Sequence, residues 1–294
     1  MNITALLLIS IFSFFAIQLN AQEIEIRMNN YNEGEYTFKA INHSQRPYFV
    51  VLAFKDLLGA CSDTPGHVHR VDPGVEEKMC EVKSLKGSSP FSSYGYRYFT
   101  SNPSARIDPE FPYLIPVKDG FPVQTLSMSN ISALVSRGTP ANWYCIGFKT
   151  NDGDTICSSR GGIVVESSES EIGKDLWFNR DDNFISILHD DGTIARYSGF
   201  EINQVFPKIG ERVIASQPLG IVSPAKSNTI SHFSLTVYRS TIDGSEMNCV
   251  LTKFCVLSIK PEILLPNNKY VAHHFSEVIT KEMSRKMKKK FLGE

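Results

Sequence analysis

Apolar and polar residues alternate with a period of two along most of this chain, the pattern of strands half-buried on one face. Residues 48–54 form a continuous apolar run that predicts a buried strand, and the Tyr- and Phe-rich stretch 91–100 predicts another. Turn clusters separate them, among them Asp72-Pro73-Gly74. Further strands are predicted over 142–148, 162–166, 184–188, 193–197 and 231–238. Asp190-Asp191-Gly192 joins two of these as a hairpin, because glycine accepts the positive φ of a tight turn. Asn151-Asp152-Gly153-Asp154 reads as a turn, since it lacks the spaced ligands of a helical calcium loop. The pattern changes only near the end. Phe275, Val278, Ile279, Met283, Met287 and Phe291 recur at three- and four-residue steps, which predicts one helix. Lys281, Arg285, Lys286, Lys288, Lys289 and Lys290 make that helix basic, either a solvated chain end or a docking element for an anionic surface.

The expected class is therefore all-β. Residues 22–105 form a small N-terminal β domain, 106–240 an antiparallel β domain, and 241–294 an extension ending in the basic helix. A Pro-rich stretch over 102–109 reads as the linker. Residues 1–21 read as an export signal: the run from Ala5 to Ile17 is apolar, too short to span a bilayer, and followed by a small residue before Gln22. The expected location is periplasmic or extracellular. No later stretch predicts a membrane span.

Thirty Lys and Arg balance thirty-one Asp and Glu, a formal net charge of -1. That balance argues against nucleic-acid binding, which needs clustered excess cations. Six cysteines, an even number, fit an exported chain with disulfides. Local spacing favours Cys61 with Cys80, Cys145 with Cys157, and Cys249 with Cys255. No CxxC pair points to zinc or redox chemistry.

Four stretches in order carry a resemblance. They are Asn142-Trp143-Tyr144-Cys145-Ile146-Gly147-Phe148; residues 153–165, beginning Gly153-Asp154-Thr155; residues 187–197, containing His189-Asp190-Asp191-Gly192-Thr193 and ending at Tyr197; and residues 209–220, from Ile209-Gly210-Glu211 to Gln217-Pro218-Leu219-Gly220. Together they resemble the lysostaphin-like zinc endopeptidases that cut peptidoglycan cross-bridges. The likeness spans residues 111–238, and the N-terminal β domain looks like the one that precedes this domain in exported members. Lipoyl-type carrier domains share the last stretch, but need a lysine at a hairpin tip where this chain has Asp190-Asp191-Gly192.

The resemblance implies a zinc held by a His and an Asp from early strands and by the second His of a His-x-His strand, with two more imidazoles handling the attacking water and the oxyanion. In this sequence no His stands near residues 136–138, where the resemblance puts the early one. Gly147 occupies the Asp position. The His-x-His strand reads His232-Phe233-Ser234, and the remaining His position falls at Gly199. Only His232 survives. No metal site and no cofactor are therefore expected, zinc included, and no catalytic residue. Asn142, Tyr144, Gly147, Tyr197, Gly199, His232 and Ser234 become the candidate residues of a metal-free groove.

Other polar groups offer weaker alternatives. Cys145 with His232 could form a soft metal site or a nucleophile pair; the competing reading is a disulfide or a small buried side chain. His189, beside a turn, reads as a surface residue. His67 and His69 share one face if extended, but no third ligand is evident from the sequence. His273 and His274 are adjacent and diverge on a helix. The expected function is an exported, non-catalytic cell-wall protein that binds a peptidoglycan peptide or a protein partner. An active endopeptidase with unrecognised ligands, and a structural assembly module docked by the basic tail, are the alternatives.

Overall fold

A computed structural model describes residues 22–32, 34–64, 66–85, 89–127, 143–168, 183–225 and 230–293. The expected export segment lies outside them. The described chain is strand-dominated, with two short helices at its C-terminal end.

Among the described residues, seven strands build the N-terminal unit: β1 (Ile24–Asn32), β2 (Glu35–Asn42), β3 (Tyr48–Lys55), β4 (Ala60–Cys61), β5 (Val68–Val71), β6 (Glu76–Lys83) and β7 (Ser93–Phe99). They form two sheets, ordered β1-β2-β6-β4 and β5-β3-β7. The run predicted over 48–54 is the centre of the second. Apolar side chains from both sheets, Ile24, Phe38, Tyr48, Val50, Val71 and Val82 among them, close a core of their own.

The larger unit comprises β8 (Pro112–Leu114), β9 (Pro122–Ser127), β10 (Ile146–Lys149), β11 (Thr155–Cys157), β12 (Gly162–Ser168), β13 (Asn183–Leu188), β14 (Ile194–Val205), β15 (Arg212–Val213), β16 (Pro218–Val222), β17 (His232–Ser240), β18 (Met247–Cys249), β19 (Lys253–Cys255), β20 (Pro261–Glu262) and β21 (Lys269–Val271). Its main sheet runs β15-β12-β13-β14-β17-β10-β9-β21. The β13–β14 hairpin turns at Gly192, whose φ is +90°. A Cβ there would lie 2.3 Å from that of Asn102, whose N–H donates to the Gly192 carbonyl. The linker is thus seated on the hairpin. The turn at 151–154 forms as read, with Asp154 accepting from the Asn151 N–H. The segment after residue 240 is woven into this unit: β18 pairs with β17, β19 runs parallel to β8, and β21 pairs with β9. Phe49 and Val68 of the first unit pack on Val165, Leu188, Ile194 and Tyr238 of the second. The Arg46 guanidinium also donates across this junction, to the Val165 carbonyl at 2.7 Å.

The predicted C-terminal helix is two helices, α1 (Ser276–Ile279) and α2 (Arg285–Leu292). The break is chemical. Ser284 Oγ accepts from the Met287 N–H as an N-cap, which starts a new helix there, and Gly293 closes it in a left-handed conformation. Between the helices, Glu282 reaches Arg160, whose guanidinium lies 2.5 Å from it and 2.8 Å from Asp191. The same guanidinium stacks 3.6 Å over the Phe111 ring. This buried node ties the chain end to the β13–β14 hairpin. Helix α2 buries none of its residues and leaves Met287 and Phe291 exposed on one stripe.

Candidate functional site

Registers across β13, β14, β17 and β10 place the expected groove residues. In an antiparallel sheet, directly opposed residues face the same side. Phe184 opposes Ser198, Ser198 opposes Ser234, and Ser234 opposes Gly147. One row along, Ser186 opposes Arg196, and Arg196 opposes Thr236. Cys145 extends this second row: its thiol hydrogen-bonds with the Thr236 and Ser234 side chains, and burial pushes it up to about 11. On the other side of the first row, His232 opposes Lys149. The residues between these, Ile146, Ile185, Tyr197 and Leu235, point the other way into the core.

Three of the expected groove residues therefore stand together: Gly147, Ser234 and, one row on, His232. Ser234 and His232 are half-buried. His232 Nδ1 lies 3.0 Å from the Ile230 carbonyl. Gly199 abuts them through its backbone. Its φ is +110°, and a Cβ would sit 2.9 Å from the His232 carbonyl oxygen and from Phe233 Cα. No side chain fits there without strain. Tyr197 is not a groove residue: it is fully buried, and its hydroxyl accepts from the Ser159 N–H at 2.8 Å. Strand parity decides this, since Tyr197 is one residue from Ser198 and so faces the opposite side. Tyr144 precedes β10, and burial raises its hydroxyl pKa. Asn142 and residues 136–138 lie outside the described residues.

The Cys145–His232 pairing does not form. Cys145 lies in the Thr236 row and His232 two rows away, about 13 Å along the strand at about 3.3 Å per residue. Nor is His189 a surface residue. It is almost fully buried, its Nδ1 is 2.8 Å from the Gly161 carbonyl, and burial, then Arg160, pull it down to about 3. The hairpin folds inward there because Asp191 meets Arg160. His274 is structural, placed between Ser216 Oγ at 2.6 Å and the Ile115 carbonyl at 3.1 Å.

All six cysteines are free thiols in this structure. Cys61 and Cys80 are close enough to hydrogen-bond. The other two local pairings do not occur. The sulfur that acts on Cys145 is that of Cys249. Cys255 lies in a different sheet from Cys249, packed with Leu114, Ala215 and Val278.

Sequence reasoning missed Arg196, Ser198 and Thr236, which complete the strip. Period-two counting from Ser234 and along the hairpin would have found them. Arg196 is buried, with its guanidinium 3.4 Å over the Phe184 ring. Its fixed positive charge is one row, about 7 Å, from the Gly147–Ser234–Ser198 row. That row carries no ionisable donor. Among the described residues the strip assembles no set of three potential metal ligands, and the nearby guanidinium opposes a divalent cation. These residues do not fit the zinc that the resemblance implies.

No family model matches the chain, and no curated protein does. Solved structures are similar to parts of it. A Ruminococcus gnavus protein assigned as the glycyl-glycine endopeptidase LytM is 17% identical over 46% of this chain, with a TM-score of 0.32. The lysostaphin catalytic domain of Staphylococcus simulans is 20% identical over 36% of this chain and 74% of its own, with a TM-score of 0.27. Helicobacter pylori Csd3 is 14% identical over 92% of this chain and 76% of its own, with a TM-score of 0.32. The chain spans 57% of the Ruminococcus protein. The described chain is β-rich, and what it has in common with these structures is a likeness over parts of its length. At these scores nothing about activity follows from the likeness.

Proposed function

We propose that this chain is an exported, non-catalytic protein of the cell wall that uses a metal-free, peptidase-like groove for binding. The observation that supports this reading is the row Gly147–Ser234–Ser198 with Arg196 beside it. Hydrolysis by the lysostaphin-type route needs a water acidified by zinc. Short hydroxyl side chains and a glycine neither hold such an ion nor lower a water's pKa toward neutrality. Ser234, the half-buried hydroxyl of the row, can hydrogen-bond to an extended peptide, and the buried Arg196 behind it gives the strip a positive potential that favours a carboxylate. The ligand is a peptidoglycan peptide or a protein partner presenting such a segment. Helix α2, basic and fully exposed, is a second contact for an anionic surface.

The test is a peptidoglycan pull-down on the mature chain, with hydrolysis assayed in parallel. Ser234→Trp, which fills the strip, is expected to abolish binding while the wild type releases no peptide. Zinc-dependent cleavage by the wild type, lost in His232→Ala, would instead establish an active endopeptidase.

A further inference from the structure

The N-terminal unit holds a cluster that the groove reading does not use. Asp63, His67 and His69 bring one carboxylate and two imidazoles together, with their ligand atoms all within 4.8 Å of one another. His67 Nδ1 lies 2.6 Å from Asp63 Oδ1, and His69 Nε2 lies 2.6 Å from Asp63 Oδ2. The two rings face each other at 4.5 Å, tilted by 39°.

Local chain geometry builds this arrangement. Val68 points into the apolar junction with Phe49, Val165 and Leu188. Strand alternation therefore sends His67 and His69 to the opposite side together. His69 is anchored in the sheet opposite Val50. A turn holds the other two: the His67 N–H donates to the Thr64 carbonyl, and the Thr64 N–H donates to Asp63 Oδ1. The donors are thus oriented before any ligand arrives, which lowers the entropic cost of binding. They stand on the wall of a cavity of about 230 Å³. Its floor is apolar, with Leu52, Phe54, Leu57 and Met79, and the Cys61 and Cys80 thiols line it beside Asp63.

We propose that Asp63, His67 and His69 form a binding site for a divalent transition metal of the zinc class. Two imidazoles and a carboxylate are a borderline nitrogen–oxygen set that suits such ions better than magnesium or calcium. Ligand atoms about 2.0 Å from a tetrahedral zinc are about 3.3 Å apart, so the two 2.6 Å contacts to Asp63 open by about 0.7 Å on binding, and the other separations, all within 4.8 Å, close by at most about 1.5 Å. Three protein ligands leave a fourth position for water or a small ligand, and the cavity adjoins it.

Zinc titration by calorimetry on the full mature chain, with thermal melts, tests this. The wild type should bind one zinc per chain and melt at a higher temperature with zinc present. His67→Gln and Asp63→Asn should each weaken binding at least about a hundredfold, because each removes a ligand rather than a ligand's support. His67 has a side chain 55% exposed, so its substitution should leave the metal-free melt unchanged. His232→Gln should bind zinc like the wild type. Absence of saturable zinc binding overturns the site. Binding indifferent to His67→Gln and Asp63→Asn also overturns it. If that binding is then lost in His232→Gln, the ion sits in the groove and the proposed function falls as well.

Discussion

The two units of this chain divide fold and ligands between them. The larger is built on a long antiparallel sheet, and the row where the sequence resemblance would put metal donors holds Gly147, Ser234 and Ser198. The smaller brings two imidazoles and a carboxylate onto a cavity wall. Metal chemistry depends on converging side chains, and a backbone frame can outlast them. In the larger unit Arg160 gathers Asp191 and Glu282 into a buried node that ties the chain end to a hairpin.

The sharpest test of that division is Arg160→Met. It strands two carboxylates, Asp191 and Glu282, both largely buried. A loss of about 3–5 kcal/mol in urea unfolding is expected. A loss below about 1 kcal/mol would show that the node is not structural. Next in size is Gly199→His, which returns an imidazole to the strip. Its φ of +110° and the 2.9 Å approach of backbone atoms predict a cost of about 3 kcal/mol. Wild-type stability for that variant would mean that the backbone there accepts an imidazole.

A pH series is the third test. His189 is pulled below its usual 6.5 to about 3 in the folded chain, by burial and then by Arg160. Between those values the unfolded chain binds more protons than the folded one. The stability from keeping this ring neutral is therefore complete above about pH 6.5 and declines toward pH 3. The slope is at most about 1.4 kcal/mol per pH unit. His189→Phe should flatten this part of the profile, and an unchanged slope would reassign it to the carboxylates. The smallest effect belongs to the strip. His232→Ala, at a half-buried side chain, should change stability by under about 0.5 kcal/mol. A larger loss would make the surviving imidazole a structural residue rather than a groove residue.

Period-two alternation exposed the strands around residues 184–188 and 231–238, because burial on one face writes itself directly into the residue order, and a continuous apolar run exposed the one around 48–54. The hairpin at Asp190-Asp191-Gly192 was legible for a similar local reason. The C-terminal helix was legible only as a periodicity. Its interruption before Ser284 depends on a cap and on Glu282 reaching a distant arginine. Tyr197 and His189 were misplaced because their surroundings come from segments far away in the chain.

The sequence by itself determined the strand-rich class, the likeness to lysostaphin-like peptidases, and the glycine and serine at Gly147 and Ser234. These are properties of residue identity and short-range spacing. Only the tertiary structure decided that Arg196 and Ser198 share a strip with Ser234, that Cys145 is remote from His232, and that Asp63 completes the pair His67 and His69. Register and turn geometry set those distances. Both follow from pairings and rotamers that a one-dimensional pattern does not encode.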